Sequence, residues 1–375
     1  MTTAVVGAYD ASREELAALM ADQPRYRVDQ VWRGLYAKGL RPAGMTDLPR
    51  DLRARLDAAL PANLQLAAES RSHGSRTVKW LWRLSDGSRI ETVLMRYPRR
   101  ATVCVSSQAG CAMGCSFCAT GQSGFDRHLT VGEIVEQVVA ARRAAEPDHL
   151  SNVVFMGMGE PLANYDRVWD ALRRIHDDIG LSARHLTVST VGVVPGIRRL
   201  AREDLPVNLA VSLHAANDVL RSRLVPLNKR YPLSALMEAC RQYQAAKGRR
   251  LSFEWALIAG VNDRPADARE LSELARPLGA HVNLIPLNPT PGYPVRGTAP
   301  DGVRAFRDSL GRMGVNATVR QNRGTDIDAA CGQLAARSAA AGVAGEAGGA
   351  ALTSASAGGD VPIPRPARRR SRPNL

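Results

Sequence analysis

The 375-residue chain contains no run of eighteen apolar residues, which excludes an ordinary transmembrane helix. Its opening stretch, MTTAVVGAYDASREEL, has neither a basic n-region nor an apolar h-region. The expectation is therefore a cytoplasmic protein without a secretory signal or membrane partner. There is no internal repeat of fixed period, and nothing points to oligomerisation, so a monomer is expected. Lysine is scarce: of the 50 basic residues only Lys38, Lys79, Lys229 and Lys247 are lysines. Such arginine richness tracks genomic base composition as readily as selection. Even so, the formal charge of +14 creates a field that attracts a polyanion.

What is present is enough to bury a sizeable core: 45% of residues are hydrophobic and 23% charged. At roughly 150 residues per domain, the length suggests two domains and an appendage. Residues 10–60 read as helices: one capped by Asp10 or Ser12 and running through Met20, a second over Val28–Leu40, a third over Pro49–Leu60. Thr77–Leu84 and Ser88–Met95 read as strands joined by Asp86-Gly87, a strong hairpin signal.

From residue 101 short β-branched runs alternate with helical stretches. The strand candidates are Ala101–Ser106, Asn152–Met156, His185–Thr190, Val207–Leu213, Leu251–Ile258 and His281–Pro286. Helices fit Val131–Ala145, Tyr165–Ile179, Leu233–Ala246 and Ala266–Leu278. Six βα units imply an α/β fold with a parallel sheet, either a full or partial barrel or a doubly wound sheet. The expected division is a helical accessory domain over 1–62, a β extension over 63–100 and the βα body over 101–335. An Ala/Gly- and Arg-rich disordered tail over 336–375 completes it.

Six cysteines occur: Cys104, Cys111, Cys115, Cys118, Cys240 and Cys331. In a cytosolic chain of this size clustered cysteines favour metal binding or catalysis over structural disulfides. Cys111, Cys115 and Cys118 form CAMGCSFC directly after the first strand of the βα series. A closed zinc site wants four ligands, and the nearest candidate for the fourth is His128, ten residues on. Three thiolates on one tight loop suit a 4Fe–4S cluster with an open iron, with Phe117 as a shield from solvent. Cys240, on the apolar face of a helix with Leu236 and Met237, reads as a core residue.

That cysteine loop resembles the radical S-adenosylmethionine (SAM) superfamily. The segments CVSSQAGCAMGCSFCATGQSGF, VVFMGMGEPLANYD, LTVSTVGVVPGI, VSLHAANDVLRSRLVPLNK, NLIPLNPTPG and RGTDIDAACGQL resemble, in order, the RlmN family of adenosine C2 methyltransferases. The resemblance implies a partial (β/α)6 barrel. It also implies one 4Fe–4S cluster on Cys111, Cys115 and Cys118, and two SAM molecules per turnover. The implied substrates are 23S rRNA, at an adenosine of the peptidyl transferase centre, and tRNA, at the adenosine at position 37 beside the anticodon. The implied electron donor is a flavodoxin or ferredoxin.

An adenine C2 carries no acidic proton and is a poor nucleophile, so direct displacement on SAM has no route and radical chemistry supplies one. On the resemblance, one SAM methylates Cys331, and a second converts that thioether to a radical that adds to the base. Cys104 then resolves the crosslink through a disulfide with Cys331, and Glu91 accepts the proton from the attacked carbon. Gly159, Glu160, Ser189, Ser212, Leu213, His214 and Asn288 are the implied SAM contacts, Glu160 meeting the amino group. Asp326 and Asp328 either position Cys331 or cap the next turn. Arg33, Arg50, Arg53 and Arg55 are candidates for RNA phosphates, and the target base needs extrusion from its stack. The Cfr-like branch, which methylates C8, a non-catalytic zinc-thiolate RNA-binding module and a radical-SAM activase of a partner protein are the competing readings.

Overall fold

The structure, a computed structural model, describes residues 7–334 apart from 289, 291, 292, 321 and 322. The expected tail over 336–375 lies outside the described residues. Three α-helices open the chain: Arg13–Leu19, Tyr26–Tyr36 and Arg50–Ala59. Ser12 rather than Asp10 caps the first, its hydroxyl accepting from the Glu15 amide while the Glu15 carboxylate accepts from the Ser12 amide. Asp10 instead reaches the start of the helix Val131–Ala145, where it accepts from the Gly132 amide at 2.7 Å. The helical segment is seated on the βα body through polar contacts. Trp32 Nε1 donates to Asp178 at 2.7 Å, and Arg174 donates to the Tyr36 hydroxyl at 2.8 Å.

An antiparallel series follows: β1 (Gln65–Arg71), β2 (Thr77–Arg83), β3 (Arg89–Tyr97) and β4 (Arg100–Cys104). Asp86-Gly87 makes the expected turn, with Gly87 at a φ of 85° that only glycine adopts cheaply. A two-stranded ribbon, β5 (Gln108–Gly110) with β6 (Phe125–His128), brackets the three-cysteine loop. The body adds β7 (Leu150–Phe155), β8 (Leu186–Thr190), β9 (Asn208–Ser212), β10 (Leu251–Leu257), β11 (His281–Pro286) and a short β12 (Ala317–Val319).

One sheet contains ten of these strands, in the order β1-β2-β3-β4-β7-β8-β9-β10-β11-β12. From β4 onward every pairing is parallel and spatial order equals chain order. That monotonic winding is a barrel wall, and it excludes the doubly wound alternative, whose strand order must reverse. The two edge strands, β1 and β12, do not pair with each other among the described residues, so the barrel is open. The layer between the sheet and its helices is tightly packed: Phe253 and Trp255 are fully buried, and Trp255 stacks on Phe306 of the helix Pro300–Arg312. Cys240 is likewise fully buried, as its helical face requires.

Candidate active site

The parallel strands end on a common rim, where such sheets bind ligands. A cleft opens there. It is bordered by the ends of β7 (Phe155 to Gly157), β8 (Ser189, Thr190), β9 (Ser212), β10 (Glu254, Ala256) and β11 (Ile285, Leu287). Cys111, Cys115 and Cys118 line it, together with Gly159, Glu160, Ser189, Ser212, His214, Asn288 and Cys331. Leu213 does not: it is fully buried, and its backbone instead joins the scaffold by donating to the Glu254 carbonyl.

Burial pushes the Cys111 thiol up to about 12 and the Cys115 thiol well above its usual range, each further raised by neighbouring cysteines. Thiols this dehydrated are poor nucleophiles and become thiolates only when a cation arrives. Among the described residues no three His, Cys, Asp or Glu side chains converge closely enough to share one metal ion. Thiolates that each hold a different iron of a cluster stand further apart than ligands of a single ion, so the donor set fits an iron–sulfur cluster. His128 does not complete a zinc site. It lies on β6, with Nδ1 3.0 Å from the Gln108 amide, and is not part of the cleft. Phe117 is buried beside the cysteines and meets His214 edge-on at 4.6 Å.

Gly159 has a φ of 99°, and a Cβ there would fall 2.5 Å from Gln108. Its smallness is thus required by the neighbouring chain. Glu160 accepts from the Leu162 amide at 3.0 Å and the Val191 amide at 2.8 Å, yet burial still raises it to about 7. The Thr190 side chain is a third hydrogen-bond partner, so the carboxylate keeps one lone pair for a cation in the cleft. Burial pushes His214 down to about 3, and its Nδ1 accepts from the Ala256 amide, which fixes it as a neutral imidazole. Asn288 donates to the carbonyl of Cys331 at 3.1 Å.

A second, smaller cavity adjoins the cleft and shares Met156, Arg320 and Cys331 with it. Cys104 opens into this second space, with Val93, Met95 and Tyr97. On β3 the alternation puts Glu91, Val93, Met95 and Tyr97 on one face, and Val93 stands opposite Cys104 of β4. Glu91 is almost entirely buried and forms an ion pair with Lys79. Cys331 is carried over this face by the segment 324–334, which is tied down at several points. Asp326 accepts from the His73 amide at 2.9 Å, Lys79 Nζ donates to the Asp328 carbonyl, and Ala119 N donates to the Gly332 carbonyl. Asp326 therefore anchors the loop to the β1–β2 connection and does not cap a helix.

All six cysteines are free thiols. The disulfide expected between Cys104 and Cys331 is not formed, although the two residues border one cavity. Burial, then Cys331, raises the Cys104 thiol to about 12, while Arg320 opposes the shift.

Sequence reasoning missed three buried charged residues. Glu254 on β10 lines the cleft, and its Oε2 lacks a hydrogen-bond partner. Arg320 separates the two cavities, 3.9 Å from that carboxylate. Arg221 donates to the carbonyls of Val191, Ser212 and Leu213 and so clamps the ends of β8 and β9. A glutamate between Phe253 and Trp255 was a readable signal of a placed carboxylate; the two arginines, among so many, were not distinguishable. Of the arginines expected to meet RNA, Arg55 is paired with Asp22 at 2.6 Å, while Arg33 and Arg50 are exposed.

Residues 105–271 match the radical SAM superfamily. The "Probable dual-specificity RNA methyltransferase RlmN" of Parafrankia sp. (strain EAN1pec) is 54% identical over 349 residues, which cover 87% of this chain and 91% of the relative. The "Dual-specificity RNA methyltransferase RlmN 1" of Myxococcus xanthus is 51% identical over 336 residues, covering 88% of this chain and 94% of the relative. The crystal structure of a radical SAM methyltransferase from Sphaerobacter thermophilus superimposes with a TM-score of 0.85 at 51% identity, covering 88% of this chain and 100% of that one. With half its residues identical across nearly the whole length of such relatives, the chain belongs to the RlmN family of radical SAM methyltransferases.

Proposed function

We propose that this enzyme methylates C2 of an adenosine in 23S rRNA and in tRNA at position 37, through a methyl group carried on Cys331. The observation that carries this reading is the placement of Cys331. It alone of the cysteines borders both the three-cysteine cleft and the cavity that contains Cys104. A carrier thiol needs access to the methyl donor on one side and to the acceptor base on the other.

Cys111, Cys115 and Cys118 hold a 4Fe–4S cluster in this proposal, with Gly159, Glu160, Ser189, Ser212, His214 and Asn288 around the SAM. The cluster and SAM supply an electron, a hydrogen-abstracting radical and the methyl group, with flavodoxin or ferredoxin as the reductant in the cytoplasm. The neutral His214 presents no charge to repel a sulfonium, whereas Glu160 offers a carboxylate to the amino group. Asn288 orients the Cys331 backbone by its carbonyl.

On the acceptor side, the radical adduct would give up one electron, returned to the redox group held by the three cysteines, while Glu91 takes the proton from the attacked carbon and Lys79 holds that carboxylate in place. Cys104 then attacks the Cys331 sulfur. A sulfur–sulfur bond forms, the carbon–sulfur bond breaks with its electron pair going to the former methyl carbon, and that carbon takes up a proton. The resulting disulfide is returned to two thiols by an external dithiol. The test is nucleoside mass spectrometry of 23S rRNA and tRNA incubated separately with the reconstituted enzyme. 2-Methyladenosine supports the reading; 8-methyladenosine, or no methylated adenosine, refutes it.

A further inference from the structure

The β3–β4 turn carries an arrangement that none of these assignments uses. Tyr97 and Arg100 pair across this two-residue hairpin, whose tip is Pro98-Arg99. The guanidinium carbon of Arg100 lies 4.9 Å from the centroid of the Tyr97 ring, and that of Arg323 lies 4.4 Å from the same centroid. Two cations thus share one aromatic ring. Arg323 donates to the carbonyl of Arg96 at 3.4 Å, yet among the described residues neither guanidinium forms an ion pair with a carboxylate, whereas that of Arg96 is paired with Asp148. Like charges brought together without a counter-charge repel each other, and a bound anion removes the repulsion.

The position of this group says which anion. Tyr97 and Arg323 line the same cavity as Cys104 and Cys331, while Arg100 and Arg99 are exposed at its edge. We infer that Arg100, Tyr97 and Arg323 form a clamp for the RNA backbone next to the target nucleotide. The guanidinium groups, held against the Tyr97 ring, would bind phosphates that flank the extruded base at the mouth of the cavity that receives it. Arginine over an aromatic ring is a recurrent platform for single-stranded nucleic acid. This inference rests on the reading of the protein as an RNA methyltransferase and adds to it the residues that seat the substrate.

The experiment measures binding of the full-length enzyme to an RNA stem-loop containing the tRNA adenosine beside the anticodon, by fluorescence anisotropy across a KCl series. For R100Q/R323Q the affinity falls about tenfold or more, and the slope of log K against log salt becomes shallower by about two. R100K/R323K, which keeps both charges, retains the wild-type slope, and Y97L weakens binding without changing the slope. An unchanged affinity and slope in R100Q/R323Q overturns the clamp but leaves RNA methylation standing. Equal losses in the lysine and glutamine pairs overturn it too, by tracing the effect to folding. Failure of the wild-type enzyme to bind the RNA overturns the underlying reading as well.

Discussion

Lys79 and Glu91 stand 3.2 Å apart on adjacent strands, both nearly buried, and the same ammonium group donates to the carbonyl of Asp328 at 3.2 Å. A single cation thus joins the proposed proton acceptor to the loop that carries Cys331. In K79M the Glu91 carboxylate loses that counter-charge in a buried setting, a change that costs about 3–5 kcal/mol. We expect a lower denaturation midpoint and slower RNA methylation in K79M, whereas K79R keeps most of both. Equal stability of K79M and wild type in urea titrations would show that the pair is not structural.

Cys104 and Cys331 border the same cavity, but only Cys331 also reaches the three-cysteine cleft. C331A is expected to abolish turnover and methylation of the protein alike. C104A is expected to retain the methylated protein and to trap a covalent RNA–protein species, visible on a denaturing gel as a band sensitive to ribonuclease. Normal product release by C104A would remove Cys104 from the mechanism.

Glu160 supplies a pH signature. Burial holds its folded-state value near 7, against about 4.3 in an unfolded chain. Between those values the folded protein keeps a proton that the unfolded chain has released. The contribution to stability is therefore fully present below about pH 4.3 and is lost as pH rises through 7, on the order of 3 kcal/mol in total. Urea titrations of the metal-free enzyme are expected to show a falling midpoint across that range, and a smaller fall in E160Q. An identical slope in E160Q would contradict the assignment.

Arg221 is buried and bonded to three backbone carbonyls at the ends of β8 and β9 as well as to Asn228. R221M removes a donor from each; the Leu213 carbonyl keeps the Ala215 amide, and each acceptor left unsatisfied costs about 1–3 kcal/mol. Loss of at least about 3 kcal/mol in denaturant unfolding is expected, with weaker SAM binding by calorimetry, because Ser189 and Ser212 lie on the strands it secures.

Much of this architecture was legible in the chain. Periodicity located the helix Val131–Ala145 and the strand His281–Pro286, because both are long, strongly patterned and flanked by turn residues. It did not reveal β1, whose QLAAESR is rich in helix formers and exposed on its outer side. That strand is held by pairing to β2 and by the Trp80 indole donating to Glu69 at 2.8 Å, a tertiary contact no local pattern records. The helix Pro300–Arg312 and β12, neither expected, follow the last recognised strand and bring Arg320 between the cavities. The three-cysteine loop was readable because its ligands are neighbours in sequence. The Lys79–Glu91 pair and the Tyr97–Arg323 contact were not, since each joins elements whose proximity only the folded sheet creates.

The sheet passes without interruption from β3 to β4. A fragment beginning at residue 105 would keep the three clustered cysteines and most of the rim, yet forfeit Glu91, Lys79 and Cys104 together. The portion shared with the wider superfamily therefore furnishes a generic engine for making radicals. On the roles proposed for Glu91, Cys104 and Cys331, what that engine is used for is written in the flanks, the hairpin that precedes it and the short strap that returns after it, and new chemistry on this scaffold should arise by exchanging those two borders.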